Sequence, residues 1–189
     1  GVNAFGGEIQ LADFNVRDWA TPYATFSLGS GTVRDLNLLE LGEAFNFGLM
    51  SGILQGSIED LVFLPDAVSR FRLKLQTVRR RGVPQYISPA AIDSIKRAIG
   101  GPFATVGDLF FSKFYYDGFG FTGSLKNDRF RLRGNFDIDG VEHIIYSRWW
   151  QLPRVRIVNT RPNRDYDWKR IFGYLRQVYT EDPVPEGEK

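Results

Sequence analysis

The sequence predicts a β-rich α+β fold: a mostly antiparallel, amphipathic sheet with two to three short helices. Three observations lead to this prediction. Between residues 69 and 78, Phe71, Leu73 and Leu75 alternate with Arg, Lys and Gln, which gives a strand one apolar and one wet face. The alternation returns at 129–133, where Phe130 and Leu132 stand between arginines. Capping signals for helices occur at only a few places along the chain.

Alternating apolar residues place the strands in order. They predict strands at 5–16, 24–28, 53–64, 69–78, 121–125, 129–134, 141–146 and 155–158. The apolar parity of the first strand shifts near Asp13, which predicts a bulge or turn there. Glycines at 29 and 31 are expected to end the second strand, and Pro65-Asp66 is expected to turn the chain between the third and fourth. Residues 126–128 (Lys-Asn-Asp) predict a hairpin tip.

Helices are predicted in three places. Residues 36–45 indicate either a short helix or a buried connector, and the sequence leaves both open. Ser88 as N-cap, Pro89 at the first helical position and Gly100-Gly101 as the stop delimit a second helix. Asp167 is expected to cap a third. The predicted buried stripes are Ile92, Ile95, Ala98 and Ile99 in the second helix, and Ile171, Phe172, Leu175 and Val178 in the third.

The chain is long enough for one domain with a substantial core, and residues 1–180 are predicted to form it. Residues 181–189 contain two prolines and are acidic, which predicts a disordered tail. The sequence starts at Gly1 rather than at Met and runs at once into strand-like residues. We therefore expect it to be a fragment of a longer protein.

The composition argues against a catalytic or metal-binding function. The chain has no Cys, so thiolate nucleophiles, disulfides and Cys-ligated metals are excluded, and its single histidine, His143, stands among apolar strand residues. No set of residues forms a catalytic or metal-ligating pattern. The sequence predicts a protein that is not an enzyme, with no metal and no cofactor. Sixteen phenylalanines favour dry packing or apolar ligands.

Charge is unevenly distributed along the chain. Residues 1–60 carry 8 acidic and 2 basic side chains, whereas residues 61–100 carry 2 acidic and 8 basic ones. Arg79, Arg80 and Arg81 end the basic stretch and are candidates for contact with lipid headgroups or a partner; a solvated turn is the alternative. Phe and Arg side chains lie on opposite strand faces, so no nucleic-acid partner that stacks on aromatic rings is expected.

Several segments together resemble one known family. They are LNLL (36–39), FGLMSGILQGSIEDL (47–61), ISPAAI (87–92), FYY (114–116), LPRVRIV (152–158) and DYDW (165–168). In this order they resemble the C-terminal region of AsmA-like envelope proteins, and the YdbH-like branch in particular.

The resemblance implies a periplasmic protein of a Gram-negative envelope that takes part in phospholipid transport between the inner and outer membranes. It also implies a curved sheet, a β-groove, that shields acyl chains, with the full-length protein anchored in the inner membrane outside this C-terminal fragment. Phospholipid is then the expected partner, and Phe71, Leu73, Leu75, Phe130 and Leu132 are the lipid-facing candidates.

A second function remains open from the residues themselves. The apolar face could instead be a fully packed core in a module that caps a longer β-structure and docks an envelope protein. In that case the helix with Ile92 and Ile95 is expected to pack on the face formed by residues 71–75. An edge strand left open at residues 2–11 would then mark where a preceding repeat adds on.

Overall fold

A computed structural model describes residues 1–65, 67–99, 103–106, 111–161, 163–169 and 171–173, with backbone alone at 98–99 and 103–106. Several sequence predictions lie outside the described residues: Asp66 of the first turn, the stop at Gly100-Gly101, the side chains of Ala98 and Ile99, Leu175 and Val178 of the third helix, and the tail at 181–189.

The fold is β-rich, with mostly antiparallel sheets and three short helices, as the sequence predicts at this level. The strands are β1 (Val2–Ala4), β2 (Gly7–Arg17), β3 (Thr25–Asn37), β4 (Met50–Ser51), β5 (Ile53–Leu64), β6 (Ala67–Val78), β7 (Tyr86–Ile87), β8 (Phe103–Val106), β9 (Phe114–Tyr115), β10 (Gly118–Lys126), β11 (Arg129–Gly134), β12 (Phe136–Ile138), β13 (Val141–Tyr146), β14 (Arg156–Asn159) and β15 (Tyr166–Asp167).

One large sheet carries most of these strands, in the order β1-β2-β3-β5-β6-β10-β13-β14-β8. Strand β10 is a branch point, because its first residues pair with β13 while Phe121–Lys126 pair with both β6 and β11. Strand β15 pairs with β11, and β12 pairs with β13. A small second sheet has the order β4-β7-β9.

The helices begin where capping residues predict them. Helix α1 (Leu38–Ala44) is capped by Asn37, whose side chain accepts a hydrogen bond from the Leu39 amide, so residues 36–45 contain a helix. Helix α2 (Pro89–Ile99) follows Ser88, whose Oγ accepts a bond from the Ala91 amide at 3.2 Å. Residues 168–169 and 171–173 are helical and form the C-terminal helical segment. Asp167 caps this segment, with its Oδ1 3.0 Å from the Lys169 amide.

The second predicted strand is too short. The sequence predicts that it ends at Gly29-Ser30-Gly31, whereas β3 continues through these residues to Asn37. The glycines are needed for cross-strand space: a Cβ on Gly31 would lie 2.7 Å from Ile58 Cγ2, and one on Gly29 would lie 2.9 Å from Asp13 Cβ. Crowding by neighbouring strands, rather than chain reversal, explains glycine here.

Three aspartates interrupt long strands with a left-handed backbone. Asp13 in β2, Asp35 in β3 and Asp60 in β5 have φ values of 58°, 54° and 52°. This confirms the predicted irregularity at Asp13, although the pairing of β2 with β3 keeps one register on both sides of it. At Asp35 the register with β5 shifts, as in a β-bulge.

The hairpin predicted at 126–128 forms, and its central residues are Asn127 and Asp128. Both have φ above 50°, which a two-residue turn between twisted antiparallel strands requires. The turn places Arg129 opposite Lys126 and fixes the register of β10 against β11.

The core cluster runs from Val33 to Ile171, and its most deeply buried residues lie in the C-terminal two thirds of the chain. Its most deeply buried members come from β7, α2, β9, β10, β11, β13 and β14, namely Ile87, Ile92, Phe114, Tyr116, Leu125, Leu132, Ile144, Ile145, Val155 and Ile157. The pKa of the Tyr116 hydroxyl is raised by burial, and this hydroxyl donates to the Ser51 carbonyl at 2.7 Å.

Candidate functional site

A single cross-strand row crosses the large sheet from β2 to β11 on one face. Leu11 of β2 stands opposite Gly31, which stands opposite Ile58 and then Leu73. The row continues through Gly123 to Leu132 of β11. Leu11 is 52% exposed, while Leu132 is 2% exposed. One continuous apolar face, which we call the apolar face, is therefore open at β2 and closed at β11.

The C-terminal helical segment covers the apolar face at its β11 end. The Trp168 indole ring lies 5.2 Å from the ring of Phe71 and 5.4 Å from that of Phe130, measured between centroids. Phe172 stacks behind it at 5.8 Å. The Trp168 indole Nε1 is buried and has no hydrogen-bond acceptor within the described part of the chain. Apolar packing alone therefore accounts for the position of this ring.

Of the five predicted lipid-facing residues, Phe71, Phe130 and Leu132 are buried, and Leu73 and Leu75 are half-buried against the same core. A buried side chain offers no surface to an acyl chain while Trp168 is in place. Contact of these residues with lipid stays a prediction, and it requires the C-terminal helical segment to move. Helix α2 contributes Ala91, Ile92 and Ile95 to that core, but the rings packed directly on Phe71 come from Phe130 and Trp168.

The open end of the apolar face was not singled out from the sequence. Phe14 of β2 stands opposite Leu28, and Val16 stands opposite Phe26. Phe14 is 60% exposed, and the Phe26 ring stacks on that of Phe63 at 4.9 Å and nearly parallel. Beyond Ile9, strand β2 has no partner on its outer side among the described residues, because β1 pairs only with Gly7–Ile9. Apolar residues thus coincide with an unpaired backbone edge.

The three arginines predicted to contact headgroups have different surroundings. Arg79 forms an ion pair with Asp117, whose side chain is 2% exposed and also contacts Arg148 Nε and the Tyr146 hydroxyl, each at 2.8 Å. Arg80 Nη2 lies 2.6 Å from Asp35 Oδ1. Arg81 is exposed. The first two guanidinium groups are therefore bound to carboxylates of the same chain, and headgroup contact by the three remains a prediction.

The bond from Arg80 perturbs Asp35. Together with Gln55 Nε2, which donates to Asp35 Oδ1 at 2.8 Å, the Arg80 guanidinium lowers the pKa of this carboxyl below its usual value. Both bonds hold the β3 bulge against β5 and the loop after β6.

Opposite the apolar face, strands β6, β10 and β11 present a second surface that we call the basic face. The register aligns its side chains in three rows, Arg70–Lys126–Arg129, Arg72–Ser124–Arg131 and Lys74–Thr122–Arg133. All seven cationic side chains are exposed. The sequence showed both alternating basic strands but not that one short strand joins them, because register between distant strands has no local signal.

Few carboxylates balance these charges. Glu59 Oε2 lies 3.1 Å from Arg72 Nη1, and Asp165 lies 2.5 Å from Arg131 Nε and 3.7 Å from Arg129 Nη1. The Arg131 guanidinium lowers the pKa of the Asp165 carboxyl. Within the described ranges, no carboxylate forms an ion pair with Arg70, Lys74, Lys126 or Arg133. A recess at the hairpin end of this face, lined by the rows of Arg70 and Arg72, has a volume of about 620 Å³.

No metal site forms within the described ranges, where no three His, Asp or Glu side chains come together. His143 is buried in β13, and its Nδ1 lies 2.8 Å from the Val141 carbonyl oxygen, a structural role. Across the same residues, no helix is long and apolar enough to cross a membrane.

Comparisons with known proteins do not assign this chain to a family. No protein-family model, no curated protein and no solved structure matches this chain.

Proposed function

We propose that this chain is a non-catalytic periplasmic domain of the AsmA-like type, which takes part in phospholipid transport between the inner and outer membranes by shielding acyl chains. The observation that carries the proposal is the open part of the apolar face. Leu11, Phe14 and Val16 are exposed on an edge strand, and the face continues from them through half-buried rings into the core.

Exposed apolar side chains in a row differ from scattered ones. Single apolar residues on a surface need no explanation, whereas a contiguous patch marks a place where something apolar binds. Here Phe14 and Val16 adjoin Phe26 and Phe63, and Leu61 links the patch to the core. An acyl chain laid along β2 would be covered on one side by these residues.

The proposed sheet is amphipathic and curved into a groove. Left-handed residues inside strands increase local twist, and Asp13, Asp35 and Asp60 introduce them into three neighbouring strands. The closed end would be the place where the groove ends, with Trp168 filling the space that lipid occupies elsewhere. The membrane anchor of the full-length protein would lie outside this chain.

Lipid extraction and crosslinking test the proposal. The protein, purified from a Gram-negative host that exports it to the periplasm, is analysed by native mass spectrometry for bound phospholipid. A photoreactive residue replaces Phe14 in one sample and Leu132 in a matched control. We expect more lipid adducts at position 14 than at 132, because lipid contact at 132 requires the C-terminal helical segment to move. No bound phospholipid together with no adduct at 14 would contradict the proposal.

A second function, a capping module that docks an envelope protein, is favoured by the closure at Trp168 and by the unpaired edge of β2. In this case the edge receives a strand, not a lipid. A peptide or preceding repeat that protects the amides of residues 10–17 from hydrogen exchange, with no lipid present, would support it over the first proposal.

A further inference from the structure

The basic face has a charge arrangement that folding alone does not favour. Like charges directly opposite on antiparallel strands destabilise the pair. Nevertheless Arg70, Lys126 and Arg129 occupy one row, and the next rows add further arginines and Lys74. Four acidic side chains, Glu59, Asp60, Asp165 and Asp167, line the same region against seven basic ones. The face therefore carries an excess of positive charge that a polyanion would neutralise.

Exposed aromatic residues lie at one end of this surface. The turn between β2 and β3 holds Trp19 and Tyr23, which are 81% and 79% exposed. Register places this turn at the same end of the sheet as the Arg70–Lys126–Arg129 row, because Arg17 pairs with Thr25 and β6 begins beside the end of β5. Strand β3 lies two places from β6, a separation of about 10 Å at the usual strand spacing.

Cations beside exposed Trp and Tyr match the chemistry of a membrane surface. Anionic headgroups attract Lys and Arg, and the amphipathic rings of Trp and Tyr settle at headgroup level. Single-stranded nucleic acid would need rings among the cations on which bases could stack. The uncharged members of the three rows are instead Ser124 and Thr122.

We propose that the basic face, with Trp19 and Tyr23 at its end, docks on the surface of an anionic phospholipid membrane. The surface that contacts headgroups is then β6-β10-β11, rather than the loop of Arg79, Arg80 and Arg81. Because the apolar face lies on the other side of the same sheet, docking of this kind would leave it facing away from that membrane surface. It requires no acyl chain on the apolar face, so it can hold whether or not that face shields lipid.

Vesicle binding tests the cations. Equimolar phosphatidylglycerol and phosphatidylcholine vesicles are titrated at about 0.02 M and about 0.5 M salt, with phosphatidylcholine alone as the neutral surface. The variant Arg70→Gln/Lys74→Gln/Lys126→Gln removes three cations that form no ion pair with a carboxylate among the described residues. The control Arg81→Gln/Arg97→Gln/Arg154→Gln removes three exposed cations elsewhere, with the same change in net charge.

At low salt we expect the first variant to bind anionic vesicles between ten and about a hundredfold more weakly than the parent, and the control to change less than about threefold. High salt should abolish most of the difference. Thermal melting verifies folding, and the first variant should melt no lower than the parent, because it separates like charges.

A second pair of variants tests the exposed aromatic residues at the end of the basic face. Trp19→Ala should weaken vesicle binding several-fold at both salt concentrations, whereas Trp149→Ala, which changes an exposed ring beyond the opposite end of β10, should not. Equal losses in both charge variants, or no binding by the parent, would overturn the proposal. Tighter binding of the parent to an oligodeoxythymidine than to anionic vesicles would also overturn it, in favour of nucleic acid.

Discussion

Leu11 and Leu132 have the same side chain, belong to the same row of the same sheet, and differ entirely in burial. Both stand on strands with mixed apolar and polar residues. What separates them is the chain that follows: Trp168 and the strands β13 and β14 cover the apolar face near Leu132, and nothing among the described residues covers it near Leu11. An alternating strand thus defines an apolar face, and later segments decide whether that face becomes core.

The largest expected effect comes from removing the cover. Trp168→Ala should lower the free energy of unfolding by about 3–5 kcal/mol, because it leaves a cavity over Phe71 and Phe130. Trp168→Phe retains a ring there and deletes a buried N–H without an acceptor, so it should cost less. Urea unfolding measures both. Equal losses for Ala and Phe would show that the ring does not hold the closed end together.

The two leucines provide the direct comparison. Leu132→Ala should cost about 2–5 kcal/mol of stability, as truncation of a fully buried leucine does. Leu11→Ala should change stability by less than about 0.5 kcal/mol, because its side chain is half in solvent.

The same urea series gives both values. A loss at Leu11 as large as at Leu132 would mean that β2 is covered in solution, by a second copy or by residues outside the described ranges. Dependence of the loss on protein concentration would identify the second copy.

A smaller difference in stability is expected between variants of neighbouring arginines, Arg79 and Arg81. Arg79→Gln should lower stability by about 1.5–3 kcal/mol, because it removes one partner of the buried Asp117 carboxylate while Arg148 and Tyr146 remain. Arg81→Gln should leave the melting temperature within error, since its side chain is exposed. Identical melting temperatures for the two variants would contradict the ion pair.

The smallest expected effect is a response to acid. The pKa values of Asp35 and Asp165 are lowered in the folded state by the hydrogen bonds from Arg80 and Arg131 respectively. Their stabilisation is therefore complete above the unfolded value, near 3.8, and is lost as pH falls through the folded values. Melting temperatures of the parent and Asp165→Asn should converge as pH falls below 3.8 and through the lowered pKa of the folded state. If the melting temperatures of the two proteins instead fall in parallel from neutral pH downward, the Asp165 carboxylate does not stabilise the fold in this way.

Local signals in the sequence predicted the parts of the fold that depend on them. The cap at Ser88, the hairpin at Asn127 and Asp128 and the irregularity at Asp13 are each determined by residues close in the chain. Gly29 and Gly31 misled the prediction because their role is to make room for Asp13 and Ile58 on other strands.

The sites depended on contacts between distant residues. The alternation at 70–76 and at 129–133 is visible in the sequence, but only the pairing of β10 with both strands brings seven cations onto one face. Arg79 looked like part of a solvated turn because its partner, Asp117, lies 38 positions away in the numbering. Trp168 gave no sign that it would cover Phe71, since packing between distant side chains leaves no periodic pattern.

The left-handed residue in β2 has a consequence for solubility. An apolar strand with an unpaired edge invites other chains to add to it and to aggregate. Asp13 places a charge and a backbone turn of φ 58° in the middle of that edge, between Leu11 and Phe14. A flat, generic strand cannot follow the kink, whereas Gly29 follows it on the inner side because it has no Cβ to collide with Asp13. The edge is thereby selective: it remains available to a strand shaped for it and resists the stacking that builds fibrils.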